Sequence, residues 1–416
     1  MNIWIFNHYA VGPGSSGITR HYDLAKELVK LGHEVTIFAS SFNHQKRIEE
    51  QEYNGKSYYK IEKYDGVNFY WIKTTPYYKN DFSRVLNMFS YTKNANSISS
   101  KVHNKPDVVI GSLMHPLAAV LGLRVAKRTN AKFLFEERDL WPQSLIDLGK
   151  VSKKSPLVFF LSRLEKYLYR SADKIIVLFE NAVNYVKSTG INESKVIYLP
   201  NGVDISRYNS KRSLEVSMQE SLAEHRGKFI AVYTGAHGLA NNLDIILEAA
   251  EYLKTQDEDI QFLLVGDGPE KKRLMEWKEK KQLDNVSFIN SVPKEFIPSI
   301  LQQCDIGLLP LQNSPVFQWG ISPNKMYDYM AASLPIALLC NIEEPTIINS
   351  GAGFIIKEKF AKNLADLLVM LKDDENLKQL KGENGRRYLE EKHTWDKLAQ
   401  KFLFSIGSEA NDKHRF

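Results

Sequence analysis

Cysteine is almost absent from this chain. Its two residues, Cys304 and Cys340, sit in apolar surroundings with no metal-ligand spacing, which suits a reducing cytosol. Long apolar runs are missing too: stretches such as 156–161 and 336–340 fall far short of the ~20 residues that cross a bilayer. Segment 1–6 has no basic region ahead of a long apolar stretch, and polar Asn7 and His8 follow at once. It reads as a first strand, not a signal peptide. No short-period repeat, low-complexity tract or nucleic-acid motif is present. His, Cys, Asp and Glu form no cluster in the sequence that suggests a bound metal.

What is present is the material of a large α/β protein. The 416 residues exceed one ordinary core, so two domains of roughly 200 residues are expected. A hydrophobic content of 43% with 25% charged residues is that of a soluble globular chain. The net charge of +6 hides an asymmetry. Residues 1–200 carry 28 Lys and Arg against 18 Asp and Glu, whereas the remainder carries 27 against 31. A basic half suits anionic small molecules or an anionic membrane, unless scattered solvated lysines account for it.

Apolar strand-like runs alternate with helical periodicity. In the first half, strands are expected at 3–8, 35–39, 108–111, 132–135, 174–178 and 196–199, with helices at 19–31, 116–128, 157–170 and 181–188. Segment 58–73 breaks the alternation, and Asp65-Gly66 between apolar stretches signals a hairpin. A polar stretch, 206–228, reads as the linker region. Strands then recur at 229–234, 260–265, 286–289, 306–309 and 336–339, with helices between and after them. The expected domains are 1–203 and 204–394, with a C-terminal helix and tail, 395–416, packing back toward the first. Such alternation implies doubly wound parallel sheets with a ligand crevice at the strand C-terminal ends.

Three elements of the second half bear on chemistry. Tyr233-Thr-Gly-Ala-His-Gly238 follows a strand and precedes a helix, where backbone N–H groups can approach a diphosphate; a strand-to-helix turn also wants glycine for its own sake. Val265-Gly-Asp-Gly-Pro-Glu270 is explained nearly as well as a plain helix start. In Ser322-Pro-Asn-Lys-Met-Tyr-Asp328, Lys325 and Asp328 lie three apart at the start of a helix. A cation there opposes the macrodipole by a few tenths to ~1 kcal/mol. An anionic ligand removes that conflict, which makes Lys325 the best phosphate candidate.

Together with Leu199-Pro-Asn-Gly-Val-Asp204, the order of these elements resembles the family-4 retaining glycosyltransferases of GT-B fold, over essentially the whole chain. In the first half the resemblance takes in the loop from Gly12 to Arg20, Ser112-Leu-Met-His115 and Glu137-Arg-Asp-Leu-Trp-Pro142. It is nearest to the bacterial branch that builds O-antigen and capsule sugars, including N-acetyl-fucosamine transferases. The fold it implies is α/β, with two Rossmann-like doubly wound domains facing a central cleft.

The resemblance also implies roles. Gly17 approaches the donor phosphates and reacting sugar, with Arg20 fixing that loop or the acceptor, and His115 stands beside the sugar. Gly235, His237 and Gly238 frame the diphosphate, while Gly266, Asp267 and Gly268 sit near the base. Lys325 holds phosphate and Asp328 bonds the ribose. Two departures stand out. The family's paired Glu positions fall here at Gly320 and Asp328, and the Arg and Lys common after the first glycine loop are absent from 236–244.

The first-half residues have plainer readings as well. His115 before Pro116 is either a helix cap or a crevice group. Glu136, Glu137, Arg138 and Asp139 are either a solvated loop or, for the last three, an acceptor-hydroxyl site.

The implied reaction transfers an N-acetylated amino or deoxy amino sugar from a nucleotide donor, UDP-sugar favoured, with retention and without metal or other cofactor. The acceptor by analogy is a polyprenyl-diphosphate-linked saccharide at the inner membrane face, giving a cytoplasmic, peripheral protein that takes no nucleic acid. Lys150, Lys153 and Lys154 before 156–161, with Arg163, Lys166 and Arg170 after, suit an anionic surface, or else mark the solvated face of a core helix. A nucleotide-sugar 2-epimerase and an inactive binding subunit are the other two readings.

Overall fold

The computed structural model describes all residues except 15–18, 56, 80, 148, 150, 210–218, 220–221, 257–258 and 408–416. The chain forms two compact units, one made of Met1–Pro200 and the chain from Trp395 onward, the other of Asn201–Thr394.

In the first unit the strands are β1 (Asn2–Phe6), β2 (Glu34–Ser40), β3 (Phe42–Asn43), β4 (Ile48–Glu49), β5 (Tyr59–Tyr64), β6 (Val67–Ile72), β7 (Val108–Ser112), β8 (Lys132–Glu137), β9 (Lys174–Val177) and β10 (Val196–Tyr198). Eight of them form one sheet in the order β10-β9-β8-β7-β1-β2-β6-β5. It is parallel apart from the β5–β6 hairpin, whose turn residues Asp65 and Gly66 both take the positive φ that a two-residue hairpin needs. The central strands are near-continuous apolar runs buried on both faces, as a parallel sheet covered by helices requires. The order reverses at β1, which pairs with β2 on one side and β7 on the other. Chain leaving β1 and β7 therefore opens at the topological switch point, where doubly wound sheets bind ligands.

Two features of this unit escape hydrophobic periodicity. Helix Phe82–Lys101 buries Asn87, Tyr91, Ala95 and Ile98 on one side, yet exposes Phe82, Val85, Leu86 and Phe89 on another. With apolar residues on both sides, no single stripe announces it. Helix Trp395–Ser405 packs against helix Arg20–Lys30, placing Trp395, Leu398 and Phe402 in one core with Ile3, Leu24 and Leu28.

The second unit holds β11 (Phe229–Thr234), β12 (Ile260–Val265), β13 (Val286–Ile289), β14 (Ile306–Pro310), β15 (Ile336–Leu339) and β16 (Gly353–Ile356). They form a wholly parallel sheet ordered β13-β12-β11-β14-β15-β16, with the reversal at β11. Helices Asp244–Thr255 and Phe360–Asp373 pack together over one face, and Asn324–Ala331 follows β14 on the other core. Within the stretch read as a linker, Ile205–Tyr208 form a short turn of helix whose Tyr208 is buried in this unit. Cys304 and Cys340 are buried free thiols.

Candidate functional site

Two clusters hold the residues singled out by sequence, one in each unit. In the second unit, the turns leaving β11 and β12 interlock. Gly235 N–H donates to Val265 O, His237 N–H to Asp267 O at 2.8 Å, and Glu270 N–H to His237 O at 3.0 Å. A Cβ on Gly266 would stand 1.8 Å from Gly235 O, and one on Gly268 2.4 Å from His237 O. These two glycines are thus required by the contact between the turns themselves. Gly238 differs: among the described residues nothing lies within 4 Å of its would-be Cβ. Asp267, between Gly266 and Gly268, is exposed, its carboxylate accepting from Gly268 N–H. A short turn, Leu239–Asn241, intervenes between the loop and helix Asp244–Thr255.

Lys325 reaches this loop from the second position of helix Asn324–Ala331. Its Nζ lies 3.8 Å from the centre of the Tyr233 ring and 3.5 Å from Asn241 Oδ1. A Cβ on Gly235 would be 2.9 Å from Nζ. Among the described residues no carboxylate pairs with the ammonium, and burial pulls its pKa down to about 7. The helix start has no side-chain cap and no acidic residue in its first turn. A helix start without a side-chain cap and an ammonium without a carboxylate partner among the described residues are features that suit an anion.

Asp328, one turn on, accepts a hydrogen bond from the Tyr208 hydroxyl at 2.7 Å. His237 is fully buried, and neither ring nitrogen has a protein partner among the described residues. Burial, with Lys271 and Lys325 nearby, lowers its pKa to about 4, so it is neutral. Tyr233, Asn241 and Tyr208 were not legible as site residues, because aromatic and amide side chains in turns carry no distinctive spacing.

In the first unit, His115 precedes helix Pro116–Thr129 without capping it. Its Nε2 instead meets His8 Nδ1 at 2.7 Å, and His8 stacks on Tyr91. The pair sits where the chain leaves β7 and β1. Burial and the Arg84 guanidinium push the His115 pKa down to about 3. Sequence gave no sign of His8, since 107 positions separate the partners.

The acidic cluster is not a solvated loop: Glu136 and Glu137 are the last residues of β8, and both are buried. Glu136 is buried and binds Arg20 Nε at 3.0 Å, His21 Nε2 at 2.6 Å and the Ser112 hydroxyl at 2.6 Å. Burial alone would raise its pKa, but His21 and Arg20 hold it well below the carboxylate range. Arg20 also donates to the carbonyls of Leu199 and Pro200, so its guanidinium ties down the end of the unit instead of facing an acceptor. Glu137 is likewise withdrawn from the expected acceptor role. It is fully buried and accepts from the Tyr169 hydroxyl, with Glu165 close enough to raise its pKa well above the usual range, after burial itself. Of the expected acceptor residues, half-buried Arg138 and exposed Asp139 keep accessible surface. Gly17 lies outside the described residues. Among those residues, no group of three or more His, Cys, Asp or Glu could hold a metal ion.

Comparison with known proteins agrees with this geometry. Residues 16–207 match Glycosyltransferase Family 4, and residues 217–388 match Glycosyl transferases group 1. The chain therefore carries two glycosyltransferase domains, and its fold is GT-B, with two Rossmann-like α/β domains. It is 24% identical over 55% of its length to the putative colanic acid biosynthesis glycosyl transferase WcaI of Escherichia coli, covering 56% of that protein. Against the probable glycosyltransferase WbjE of Pseudomonas aeruginosa it is 24% identical over 49% of its length, covering 50% of that protein. The chain thus spans about half the length of the curated relatives it matches. Among solved structures, the Anabaena protein HepE in complex with UDP superposes with a TM-score of 0.69 at 14% identity, covering 98% of this chain and 100% of that one.

Proposed function

We propose that this protein is a retaining glycosyltransferase of surface-polysaccharide synthesis. It moves an N-acetylated amino or deoxy amino sugar from a UDP-sugar to a polyprenyl-diphosphate-linked saccharide, without a metal ion. The observation that carries the reading is the Lys325 ammonium, buried without a carboxylate partner among the described residues and set against a glycine loop and an uncapped helix start. Burying an isolated ammonium is costly, and a diphosphate is the ligand that offsets it. As the glycosidic C–O bond breaks, negative charge grows on the departing diphosphate, and a fixed cation in a dry site stabilises it most then. The acceptor attacks on the leaving-group side, and a phosphate oxygen takes its proton. Asp328 holds the ribose hydroxyls. The UDP complex of HepE supports the choice of base, and the name of WcaI supports a polysaccharide product.

Membrane attachment belongs to the same reading and gives a cytoplasmic, peripheral protein. Among the described residues no helix is long and apolar enough to cross a membrane. Helix Pro156–Ser171 nevertheless leaves Phe159 and Phe160 65% and 63% exposed, beside Lys153, Lys154 and Arg163. Lys150 lies outside the described residues. Exposed aromatics flanked by cations suit an anionic lipid surface, each basic residue contributing ~1 kcal/mol.

Nucleotide release from UDP-, GDP- and dTDP-sugars, with a lipid-linked acceptor present, tests the proposal. Release from a UDP-sugar that collapses in Lys325→Ala is expected. A Lys325→Ala protein that turns over like the parent, or no release from any donor, would overturn it.

A further inference from the structure

Helix Phe82–Lys101 has two unlike sides. The inner one is held by directed bonds. Asn87 Nδ2 donates to Thr74 Oγ1 at 2.9 Å and to Thr75 O at 2.7 Å, and the Tyr91 hydroxyl donates to Phe38 O at 2.7 Å. Asp81 Oδ1 caps the helix start, accepting from Ser83 N–H at 2.9 Å. The outer side of so firmly held a helix ordinarily carries polar residues. Instead Phe82, Leu86 and Phe89 follow one another at i, i+4 and i+7, with Val85 beside them. All four are exposed, Phe82 by 71% and Phe89 by 55%, as is Tyr78 just before the helix. Apolar residues gathered on one rigid face, unlike those scattered singly, mark a surface that meets a partner.

Charge indicates which partner. Segment 73–101 holds Lys73, Lys79, Arg84, Lys93 and Lys101 against a single acid, Asp81, which is engaged at the helix cap. The helix itself contains no Asp or Glu. Lys93 continues the stripe at i+11, so two exposed cations, Lys79 and Lys93, bracket the exposed rings. Arg47 adds a third, its guanidinium donating to the carbonyl of Tyr78. A second copy of this chain docked face to face would set cations against cations. An anionic bilayer takes both components, the rings entering the acyl boundary while the ammonium groups stay among the headgroups.

The place of the stripe in the sheet matters as much. Helix Phe82–Lys101 joins β6 to β7 and helix Pro156–Ser171 joins β8 to β9, so both run back from the strand C-terminal ends, as crossovers between parallel strands do. The first packs on β6 and the second on β8, while helix Pro116–Thr129, which starts directly after His115, lies on β7 between them and touches both. The rings of Phe82 and Phe89, and those of Phe159 and Phe160, fall in the opening turns of their helices. They therefore flank helix Pro116–Thr129 at the end of the sheet where His115 stands.

We propose that the first two turns of helix Phe82–Lys101, with Tyr78, are a second lipid-contact site, which seats this unit on an anionic bilayer at two points and turns the His115 end of the sheet toward the headgroups. The inference rests on the reading of a lipid-linked acceptor and deepens it. One weak contact leaves a protein marginally bound and free to swivel; two on one rigid body multiply in strength and fix which edge faces the membrane. A saccharide carried on a lipid diphosphate then arrives at the level of His115.

The test mixes the full chain with vesicles of phosphatidylglycerol and phosphatidylethanolamine. Phe82→Ser with Phe89→Ser should weaken co-sedimentation at least about tenfold, since each ring withdrawn from water is worth a factor of roughly 10 to 100. Melting temperature and lipid-free donor hydrolysis should stay parental. Lys79→Glu with Lys93→Glu should weaken binding most at low salt. Both native thiols are buried, so an environment-sensitive dye can be placed on Phe89→Cys alone. It should brighten on the vesicles, whereas on Phe404→Cys, exposed on the helix packed against Arg20–Lys30, it should not. Parental binding by Phe82→Ser with Phe89→Ser, or a dye at position 89 that stays in water on bound protein, overturns the second site and leaves attachment through Phe159 and Phe160 standing. A parent dimer that the same substitutions split into monomers overturns it in favour of a second copy. A parent that binds no vesicle brings down membrane attachment altogether, while nucleotide release with a detergent-solubilised acceptor still judges the transferase reading separately.

Discussion

The Lys325 ammonium rests 3.8 Å above the Tyr233 ring with no counter-ion among the described residues, and burial leaves it near the midpoint of its titration at neutral pH. A diphosphate placed there restores a high pKa. Between pH 7 and the ordinary lysine value of 10.5, the free protein is largely deprotonated at this position and the complex protonated. UDP binding at about pH 8 should therefore take up close to one proton, read by calorimetry in buffers of different ionisation enthalpy. Uptake should vanish in Lys325→Ala, whose turnover should fall about 10²- to 10³-fold. Equal uptake in both proteins would refute the assignment.

The glycines of the turns after β11 and β12 should separate into two kinds. Gly266→Ala and Gly268→Ala force a Cβ into a backbone carbonyl of the facing turn, and should lower stability by more than about 1 kcal/mol along with nucleotide affinity. Gly238→Ala meets open space and has an extended backbone that alanine accepts. Its melting temperature should match the parent while UDP affinity drops, because the added methyl would occupy space proposed for the ligand.

Arg20 and Glu136 form a buried pair with side chains 2% exposed. Glu136→Ala leaves the guanidinium buried without its carboxylate, and denaturant unfolding should show a loss of about 3–5 kcal/mol. A loss under 1 kcal/mol would mean that the site relaxes freely.

Glu165, on the buried face of helix Pro156–Ser171, meets Tyr169 and Tyr185 beside Glu137, and burial raises its pKa to about 7 from 4.5. The folded state thus holds a proton that the unfolded chain has lost between those values, and stability falls as pH rises through that window. Glu165→Gln should remove the penalty, stabilising the protein by about 2–3 kcal/mol at pH 8 and much less at pH 5. Thermal melts at the two pH values check the sign.

Phe159→Ser with Phe160→Ser should abolish co-sedimentation with vesicles containing anionic lipid, without altering soluble donor hydrolysis or the melting temperature. Both rings are exposed, so folding loses little by their removal. Binding insensitive to the substitutions or to salt would place membrane contact elsewhere.

What could be read from sequence was whatever expresses itself locally. The strands from β11 to β15, the Asp65-Gly66 hairpin and the dipole conflict at Lys325 each declare themselves within a few residues. Features that depend on distant partners did not. Glu137 read equally as a solvated acid or an acceptor group because nothing nearby in sequence reveals its partner Tyr169. Arg20 looked available to an acceptor because its carbonyl partners lie 179 and 180 residues away. Helix Phe82–Lys101, which stacks Tyr91 on the His8 ring, went unseen for lack of a single apolar face.

The return of the chain at Trp395 to the first unit has a bearing on biosynthesis. Helix Arg20–Lys30 leaves the ribosome before residues 201–394, yet its packing partner, Trp395–Ser405, follows them. Residues 201–394 are contiguous and can fold as they emerge. Domains ordinarily mature from the N-terminus onward; in this protein the earlier-born unit must wait, with an apolar helix face uncovered, until helix Trp395–Ser405 has been made. Its assembly is thus coupled to synthesis of the whole second unit, and a product truncated before Trp395 would lack the segment that closes its first core.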